Sequence, residues 1–434
     1  MESIFNSPVM VKLQEFGQKL GQNKFLSSLQ AAMMSLMGIV MIGAISQIIV
    51  SIGSTMLNLF AADSQIYAIL YTPYNFTTNM LGLWVVVLLT YNYARALEVK
   101  TPIISTIEAL ICFLISAGAI TTAANGAALF PVSYLGASGM FIGFLVSYVV
   151  VRIDKVCIDK KIYIRMPDVV PQFLQDGFAS IVPLLFNVVI FLGIDSAIFF
   201  ATGGTLRLAS GFLALLSAPL SAMTSIPGMF FICFLAGLMW CFGIHGSMII
   251  MPIIMPLALE ATTANAAAYA AGGVEALAFY PVMLMAGLSG CGGTGNTLPA
   301  AIYGSFLAKS RQMKAVGKAA LIPGWFNINE PIAFGMPVMY NPVLCIPYVL
   351  SIPINMCFYW IGYATGLVIP SFIPITAVLP LGFVGYLGSL NIMNAVWDYL
   401  SIIPMSLVWF PFLKVYDRQL LKQEAEAEAL EGAE

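Results

Sequence analysis

Charged residues are scarce in this sequence, whose 434 residues contain 18 Lys and Arg and 20 Asp and Glu. Charged side chains make up 9% of the chain, against about 25% in ordinary soluble domains. Hydrophobic residues make up 60%, and the mean hydropathy is +0.92. So few charges cannot cover the exterior of a soluble protein this apolar. The composition therefore excludes a soluble globular domain and predicts a polytopic membrane protein.

Histidine is scarcer still, and the cysteines form no pattern. The single histidine, His245, excludes a zinc site built on two or three histidines and a relay between two histidines. The seven cysteines show no CxxC spacing, and most lie in apolar segments, as small buried residues do. The sequence therefore predicts no metal site, no cofactor and no nucleic-acid partner.

The two ends of the chain carry patterns of their own. The first 25 residues lack the apolar core of a signal peptide, and Val9, Leu13, Phe16 and Leu20 share one helical face. They predict an amphipathic helix at the membrane surface. The last residues include five glutamates, and removing these charges from the net charge of −2 leaves +3. We expect residues 423–434 to be a solvated, disordered acidic tail.

Long apolar stretches predict the membrane spans. About 20 apolar residues cross a bilayer as a helix, and the polarity of the backbone excludes open strands. Six clear candidates lie at 27–52, 77–97, 103–122, 131–151, 179–202 and 224–245. Shorter apolar pieces follow up to residue 413, several of them cut by Gly or Pro. The chain is therefore predicted to be an all-α polytopic membrane protein with amphipathic interfacial helices.

The basic residues predict the orientation, because 17 of the 18 lie in five clusters. Lys and Arg in short loops stay on the cytoplasmic side of a membrane. All five clusters, and with them both termini, are therefore expected to face the cytoplasm. Arg95 lies in the second cluster at the end of a span, where it serves either as an anchor of this kind or as a ligand-binding residue.

The two halves of the chain differ in regularity. Residues 1–175 contain well-separated spans, which predict a transmembrane scaffold domain. Residues 176–422 contain more apolar pieces than full spans allow, and the segment from Ile322 to Pro337 is polar in its middle. Such a stretch predicts a re-entrant hairpin or a broken helix, which is stable at membrane depth only inside protein or along a cavity. The C-terminal half is therefore expected to hold the functional site.

The strongest local signal is the segment Phe326-Asn327-Ile328-Asn329-Glu330-Pro331. An ionisable group inside an apolar segment is costly and by default suggests a functional site. Pro331 donates no backbone hydrogen bond and disfavours helix at Glu330. Asn327, Asn329 and Glu330 are thus concentrated at one backbone irregularity. Trp325 beside them is either a core aromatic residue or an apolar face for a ligand.

Two glycine-rich segments supply further candidates. His245 lies between Gly243 and Gly246, and glycine allows a ligand to approach the backbone; the alternative is a structural histidine. The G-x-G-x-x-G match at 290–295 follows an apolar segment and no strand, which argues against a dinucleotide site. We expect this loop either to present Thr294 and Asn296 beside a cavity or simply to pack closely.

Carboxylate, amide, imidazole and indole groups without a basic cluster suit a neutral polyol such as a sugar. An anionic substrate would require Arg or Lys at membrane depth, and only Arg207 lies outside the five basic clusters. Glu108 and Asp195 lie inside apparent spans, where they either pair across helices or relay protons.

At this point the motifs resemble a known family. The stretch from Phe326 to Pro337, followed by Asn341-Pro342, resembles the signature of the lactose/cellobiose/diacetylchitobiose-type enzyme IIC, the sugar permease of the bacterial phosphotransferase system. The segments 242–246, 292–295 and 412–417 are similar to family members in the same order. One departure is Pro374-Ile375-Thr376, where many relatives have Pro-Trp-Thr, so a sugar-stacking face is missing there.

The resemblance implies a homodimer in the bacterial cytoplasmic membrane, with about ten transmembrane helices and about two re-entrant hairpins per subunit. The N-terminal half would form the dimer contact, and the C-terminal half would bind a disaccharide such as cellobiose, diacetylchitobiose or lactose. His245 and Glu330, with Asn329 beside them, would lie near the sugar's C6 hydroxyl. A phosphocysteine on enzyme IIB, supplied through enzyme IIA and the phosphocarrier protein, would phosphorylate that hydroxyl. The chain would be the membrane subunit of this phosphotransferase, with no phosphoryl-carrying residue of its own.

Two other functions stay open at this stage. The first is a proton- or ion-coupled secondary sugar transporter that uses Glu108, Asp195 or Glu330 as its coupling site. The second is an intramembrane enzyme acting on lipid, which is disfavoured because no nucleophile and base stand out as a pair.

Overall fold

The computed structural model describes residues 22–61, 63–167 and 169–431. These residues form 17 α-helices, several short 3-10 turns, one π-helical turn and one two-stranded hairpin. The all-α class predicted from the sequence is therefore confirmed. The amphipathic helix predicted around Val9 to Leu20 lies outside the described residues.

The chain divides into two compact units. We call the described residues 22–222 and 252–263 the N-terminal unit, and residues 223–251 and 264–431 the C-terminal unit. Residues 176–222 pack within the N-terminal unit, because their long helix places Asn187 and Phe191 against the helices before it. The contacts thus divide the chain further along than residue 175. The roles assigned to the domains 1–175 and 176–422 stay predictions.

Seven helices begin in the N-terminal unit. They are α1 Lys24–Val50, α2 Gln65–Phe76, α3 Leu81–Ala96, α4 Pro102–Ala117, α5 Met140–Asp159, α6 Gln172–Ala201 and α7 Leu208–Met223. The side chain of Asn23 caps α1 by accepting hydrogen bonds from two backbone amides, and Pro102 begins α4, where a missing N–H costs nothing. Between α4 and α5, strands β1 Thr121–Thr122 and β2 Ala128–Leu129 pair antiparallel.

Ten helices follow, and the C-terminal unit is built mainly from them. They are α8 Ile226–Cys241, α9 Gly246–Gly272, α10 Ala286–Ser289, α11 Leu298–Phe306, α12 Arg311–Trp325, α13 Glu330–Gly335, α14 Pro342–Ala364, α15 Phe383–Ser389, α16 Ile392–Leu400 and α17 Ile402–Glu431. Trp240, Tyr348 and Trp409 are almost fully buried and form the centre of the core of this unit.

Five helical segments of the described chain are long and apolar enough to cross a bilayer. They are Lys24–Ser54, Gln172–Ala201, Gly246–Ala276, Pro342–Ala364 and Ile392–Glu426. Helices α7 and α8 pass the same test only when they are taken together. The predicted spans at 77–97 and 131–151 are shorter as helices, since 3-10 turns precede α3 and α5.

Helices α11 and α12 are neighbours with 9 and 15 residues, and both are too short to cross. Helices α15 and α16 have 7 and 9 residues, but α16 continues into α17 within the span Ile392–Glu426. Even 15 residues rise only about 22 Å, against a hydrocarbon core of about 30 Å. In the first pair Gly304 lies directly against Gly317, where a side chain on either residue would clash. Helices α11 and α12 therefore fit one of the re-entrant hairpins that the family resemblance implies.

The acidic end of the chain is helical up to Glu431, so the prediction of a disordered tail is wrong for its described part. Glu424 accepts hydrogen bonds from the Ser310 hydroxyl at 2.7 Å and from the backbone amide of Gln312 at 3.1 Å. These groups lie at the start of α12, where amides have no partner within the helix. The carboxylate is therefore held as a cap, which orders the last turns of α17.

Candidate functional site

A tight turn between α8 and α9 places His245. Gly243 has a φ of +75°, which disfavours any side chain at this position. The hydroxyl of Tyr340 donates to the Phe242 carbonyl at 2.8 Å and holds the turn. A side chain at Gly246 would overlap the Ala236 carbonyl, so only glycine allows α9 to start so close to α8.

His245 caps α9 and faces Glu330. Its Nδ1 accepts a hydrogen bond from the backbone amide of Met248 at 3.2 Å. A neutral ring with an accepting Nδ1 carries its hydrogen on Nε2. This Nε2 lies 3.9 Å from Glu330 Oε1, and the two side chains are 33% and 46% exposed. The centre of the Trp240 ring lies 4.2 Å from the centre of the imidazole ring, so the two rings pack against each other.

The segment that carries Glu330 is broken, as its sequence predicts. Helix α12 ends at Trp325, and Asn327 takes a φ of +59°. The short helix α13 then begins at Glu330 itself, with Asn329 at its cap position and Pro331 in its first turn. A proline in a first turn removes no helical hydrogen bond, so Glu330 lies at a helix start rather than in a fully extended loop.

The glycine-rich loop packs directly on this break. Gly293 has a φ of +77°, and a side chain there would lie 2.7 Å from the Asn327 carbonyl oxygen and 2.8 Å from the Asn329 amide nitrogen. The backbone amide of Gly292 donates to Asn327 Oδ1 at 2.9 Å. All residues from 291 to 300 are buried. Close packing, one of the two alternatives for this loop, is therefore what the structure shows.

Thr294 and Asn296 are occupied by protein groups. The Thr294 hydroxyl hydrogen-bonds to the Ser247 hydroxyl at 2.6 Å, and its residue is 5% exposed. Asn296 is fully buried. Its Nδ2 donates to the Gly287 carbonyl at 2.9 Å, and its Oδ1 accepts from Asn355 Nδ2 at 2.8 Å. Both residues hold the loop that packs beside Asn329.

Of the remaining candidates in the broken segment, Asn329 is buried and Trp325 is accessible. Asn329 is 4% exposed, and its Nδ2 donates to the Tyr348 hydroxyl at 3.0 Å. Trp325 is 39% exposed, and its indole Nε1 donates to the Tyr399 hydroxyl at 3.0 Å. An accessible indole fixed by its nitrogen is suited to contact with a ligand, whereas Asn329 orients the backbone before Glu330.

Sequence reasoning missed three aromatic residues of the site. Trp240, Tyr348 and Tyr399 lie in apolar stretches that look like ordinary helix interiors. Their partners in the site are 5, 19 and 74 residues away. The five-residue step from Trp240 to His245 was the only signal near a known candidate. The other two depend on packing between distant helices.

Arg95 and Asp195 lie in the N-terminal unit. The Arg95 guanidinium lies 5.8 Å from the centre of the Tyr91 ring, and the residue is exposed. Asp195 pairs with Arg207 at 2.7 Å and accepts from the backbone amide of Leu208 at 2.8 Å. Asp195 is thus a structural pair across a helix junction, one of its two predicted roles. Among the described residues, no group of three or more His, Cys, Asp or Glu could hold a metal ion.

Comparison with known proteins places these motifs in context. The model of the family "Phosphotransferase system, EIIC" matches residues 30–351. The PTS system oligo-beta-mannoside-specific EIIC component of Bacillus subtilis (strain 168) is 30% identical, over 96% of this chain and 95% of that protein. The PTS system lactose-specific EIICB component of Streptococcus mutans is 30% identical, over 97% of this chain and 74% of that protein.

A solved structure is also similar. It is the transporter ChbC, the IIC component from the N,N'-diacetylchitobiose-specific phosphotransferase system. It matches with a TM-score of 0.85 and 26% sequence identity, over 95% of this chain and 98% of that one.

Proposed function

The chain belongs to the EIIC family of the phosphotransferase system, and from this premise we propose that the sugar it carries is a β-linked disaccharide. The names of its relatives mention an oligo-β-mannoside, lactose and N,N'-diacetylchitobiose, all of which contain β-linkages. A neutral disaccharide also suits a site with a carboxylate, an imidazole and an accessible indole, in a chain whose Lys and Arg residues, except Arg207, lie in five clusters.

The single observation that carries the proposed site is the gap between His245 and Glu330. Their facing atoms are 3.9 Å apart and both side chains are accessible, so one hydroxyl can contact both. Glu330 accepts the hydrogen of this hydroxyl, while the imidazole Nε2–H donates to its oxygen. We assign the C6 hydroxyl of the sugar to this position.

The transfer step follows from that geometry. The C6 oxygen attacks the phosphorus of the phosphocysteine on enzyme IIB, the P–O bond forms, and the P–S bond breaks to leave a thiolate. The hydroxyl proton passes to Glu330, because His245 Nε2 already carries a hydrogen and Nδ1 accepts from the Met248 amide. Such transfers depend mainly on positioning and electrostatics, so a residue that orients the hydroxyl contributes strongly. The negative charge of the new phosphate then repels Glu330, which favours release.

The neighbouring residues have supporting roles in this proposal. The exposed face of Trp325 stacks on a sugar ring, in place of the tryptophan that many relatives have near Ile375. Asn327 and Asn329 hold the broken segment, and Thr294 and Asn296 hold the glycine-rich loop behind it.

The partners and the location complete the proposal. The chain works as a homodimer in the bacterial cytoplasmic membrane with both termini in the cytoplasm. It receives phosphoryl groups from enzyme IIB, and through it from enzyme IIA and the phosphocarrier protein. Arg95 anchors a span at the cytoplasmic surface, as the basic clusters predict.

Vesicles that contain this chain test the proposal directly. Radiolabelled cellobiose, lactose, mannobiose and diacetylchitobiose are each supplied with and without phosphoenolpyruvate and the soluble phosphotransferase proteins. We expect at least one disaccharide to accumulate as its 6-phosphate, and only when the phosphoryl donors are present. Accumulation as free sugar, abolished by an uncoupler, would instead support an ion-coupled transporter.

A further inference from the structure

Three helices of the N-terminal unit bring polar side chains together inside an apolar core. Glu108 on α4, Asp154 on α5 and Asn187 on α6 are 3%, 4% and 0% exposed. Asn187 Nδ2 donates to Glu108 Oε2 and to Asp154 Oδ1, each at 3.0 Å. One amide group therefore draws two carboxyl groups to the same place.

This cluster contains more hydrogen-bond acceptor oxygens than hydrogen-bond donors. Asp154 Oδ2 and Asn187 Oδ1 are buried and accept no hydrogen bond from the described residues. No ion pair of the described residues includes Glu108 or Asp154. Two buried carboxylates without a compensating charge are strongly unfavourable. A proton or a cation must therefore neutralise at least one of these carboxylates.

A cavity of about 520 Å³ lies beside this cluster, and Glu108 and Asp154 are among the residues that line it. Lys100 and Asp176, which pair at 3.3 Å, line the same cavity, as do Tyr163 and Arg165. Asp154 therefore lies at the wall of a space that water and small ions can enter, while its unpartnered Oδ2 is itself buried.

We propose that Glu108, Asp154 and Asn187 bind a single positive charge, either a sodium ion or a proton shared by the two carboxyl groups. Oxygen donors favour a hard cation. The Asn187 N–H group between the carboxyls argues against a divalent ion, which would repel it and would attract more than two carboxylates. The Ser105 hydroxyl beside Asp154 adds one more oxygen. This site lies in the N-terminal unit, whereas His245 and Glu330 lie in the C-terminal unit.

The surroundings contain few other groups that titrate. Cys112 and Cys157 are buried on α4 and α5 close to the carboxyls. Helix α3 contributes the apolar Val86 to this region, and α6 contributes Phe191. Among the described residues, the titratable and charged groups that line the cavity besides Glu108 and Asp154 are Lys100, Tyr163, Arg165 and Asp176.

Thermal unfolding of the detergent-solubilised protein tests the site. We compare sodium, potassium and choline chloride at constant ionic strength, at mildly acidic and mildly alkaline pH. A bound sodium ion raises Tm by about 1–2 °C for each tenfold excess over its dissociation constant, most at alkaline pH where protons compete least. A shared proton instead raises Tm at acidic pH in all three salts alike.

The increase in Tm, whether caused by sodium or by acidic pH, must disappear in Glu108→Gln and Asp154→Asn. It must persist in the control Asp176→Asn, which changes a carboxylate at the same cavity. Binding of radioactive sodium separates the two sources of charge. An increment that is absent from the wild type, or that persists in both variants, overturns the proposal.

Two measurements need no folded variant of either carboxylate. The first is sodium binding by wild-type protein, and the second is the infrared carbonyl band of a protonated carboxylic acid at neutral pH. If both are absent from wild-type protein, the site holds no positive charge and the proposal is wrong.

Discussion

Asp195 in the N-terminal unit and the pair His245 and Glu330 in the C-terminal unit differ in exposure and in pairing. Asp195 is buried and forms an ion pair with Arg207 across 2.7 Å. In the C-terminal unit His245 and Glu330 stay 33% and 46% exposed and leave a gap between them. Buried pairs stabilise or specify a fold, whereas accessible groups with a gap are available to a ligand. This difference is the one expected if Asp195 has a structural role and if His245 and Glu330 bind the ligand.

The comparison predicts its largest effect at Glu330. Glu330→Gln keeps the shape of the side chain but removes the charge that accepts a proton, so we expect sugar phosphorylation to fall by about 100-fold or more. The measurement is the rate of sugar-phosphate formation in vesicles with the complete phosphotransferase system. Glu275→Gln, an exposed glutamate of the same unit, is the control and should keep wild-type rates. Wild-type rates in Glu330→Gln would contradict the assigned role.

Asp195 should behave in the reverse manner. Asp195→Asn leaves Arg207 without its charge partner, and we expect the free energy of unfolding to fall by about 2 kcal/mol, less than for a fully buried pair because Arg207 is partly exposed. Sugar phosphorylation per folded molecule should not change. Thermal unfolding in detergent and a vesicle assay normalised to folded protein measure the two properties. A loss of turnover without a loss of stability would contradict the structural role assigned to Asp195.

His245 allows the cap and the ligand contact to be separated. His245→Asn keeps an oxygen that can cap α9, since Asn is a favourable capping residue, but removes the Nε2–H that faces Glu330. We expect kcat/KM for phosphorylation to fall about tenfold while Tm stays near wild type. His245→Ala should lower both. Equal Tm values for the two variants would show that the cap contributes nothing.

The smallest predicted effect concerns the first short hairpin of the C-terminal unit. Asp417 is buried and accepts from the Lys309 and Ser310 amides at about 3 Å, so it fixes the turn before α12. Asp417→Asn should cost about 1 kcal/mol of local stability. Hydrogen exchange of the amides at the start of α12 measures it, with Glu426→Gln on the same helix as the control. Unchanged exchange would mean that the turn is held by other contacts.

Much of the fold class and part of the site could be predicted. The membrane class follows from 9% charged residues, because no arrangement of so few charges can solvate the exterior of a chain this long. The break before Glu330 follows from Pro331 and the asparagines, which act on their own backbone. Neither inference requires knowledge of what packs against the segment.

Other features depended on contacts that no local pattern encodes. Thr294 and Asn296 were expected beside a cavity or in close packing, and their burial was decided by Ser247 and Asn355 on other helices. The acidic tail was expected to be disordered, and Glu424 became a cap because Ser310 lies within reach, 114 residues earlier.

The sequence alone determined that this protein is a helical membrane protein with its rare polar groups at His245 and around Glu330, because composition and backbone rules act locally. The tertiary structure decided that these two side chains face each other across 3.9 Å although 85 positions separate them. It also decided that Glu108, Asp154 and Asn187 meet inside one unit. Such contacts between residues far apart in the sequence depend on how whole helices pack, and packing is a property of the complete chain.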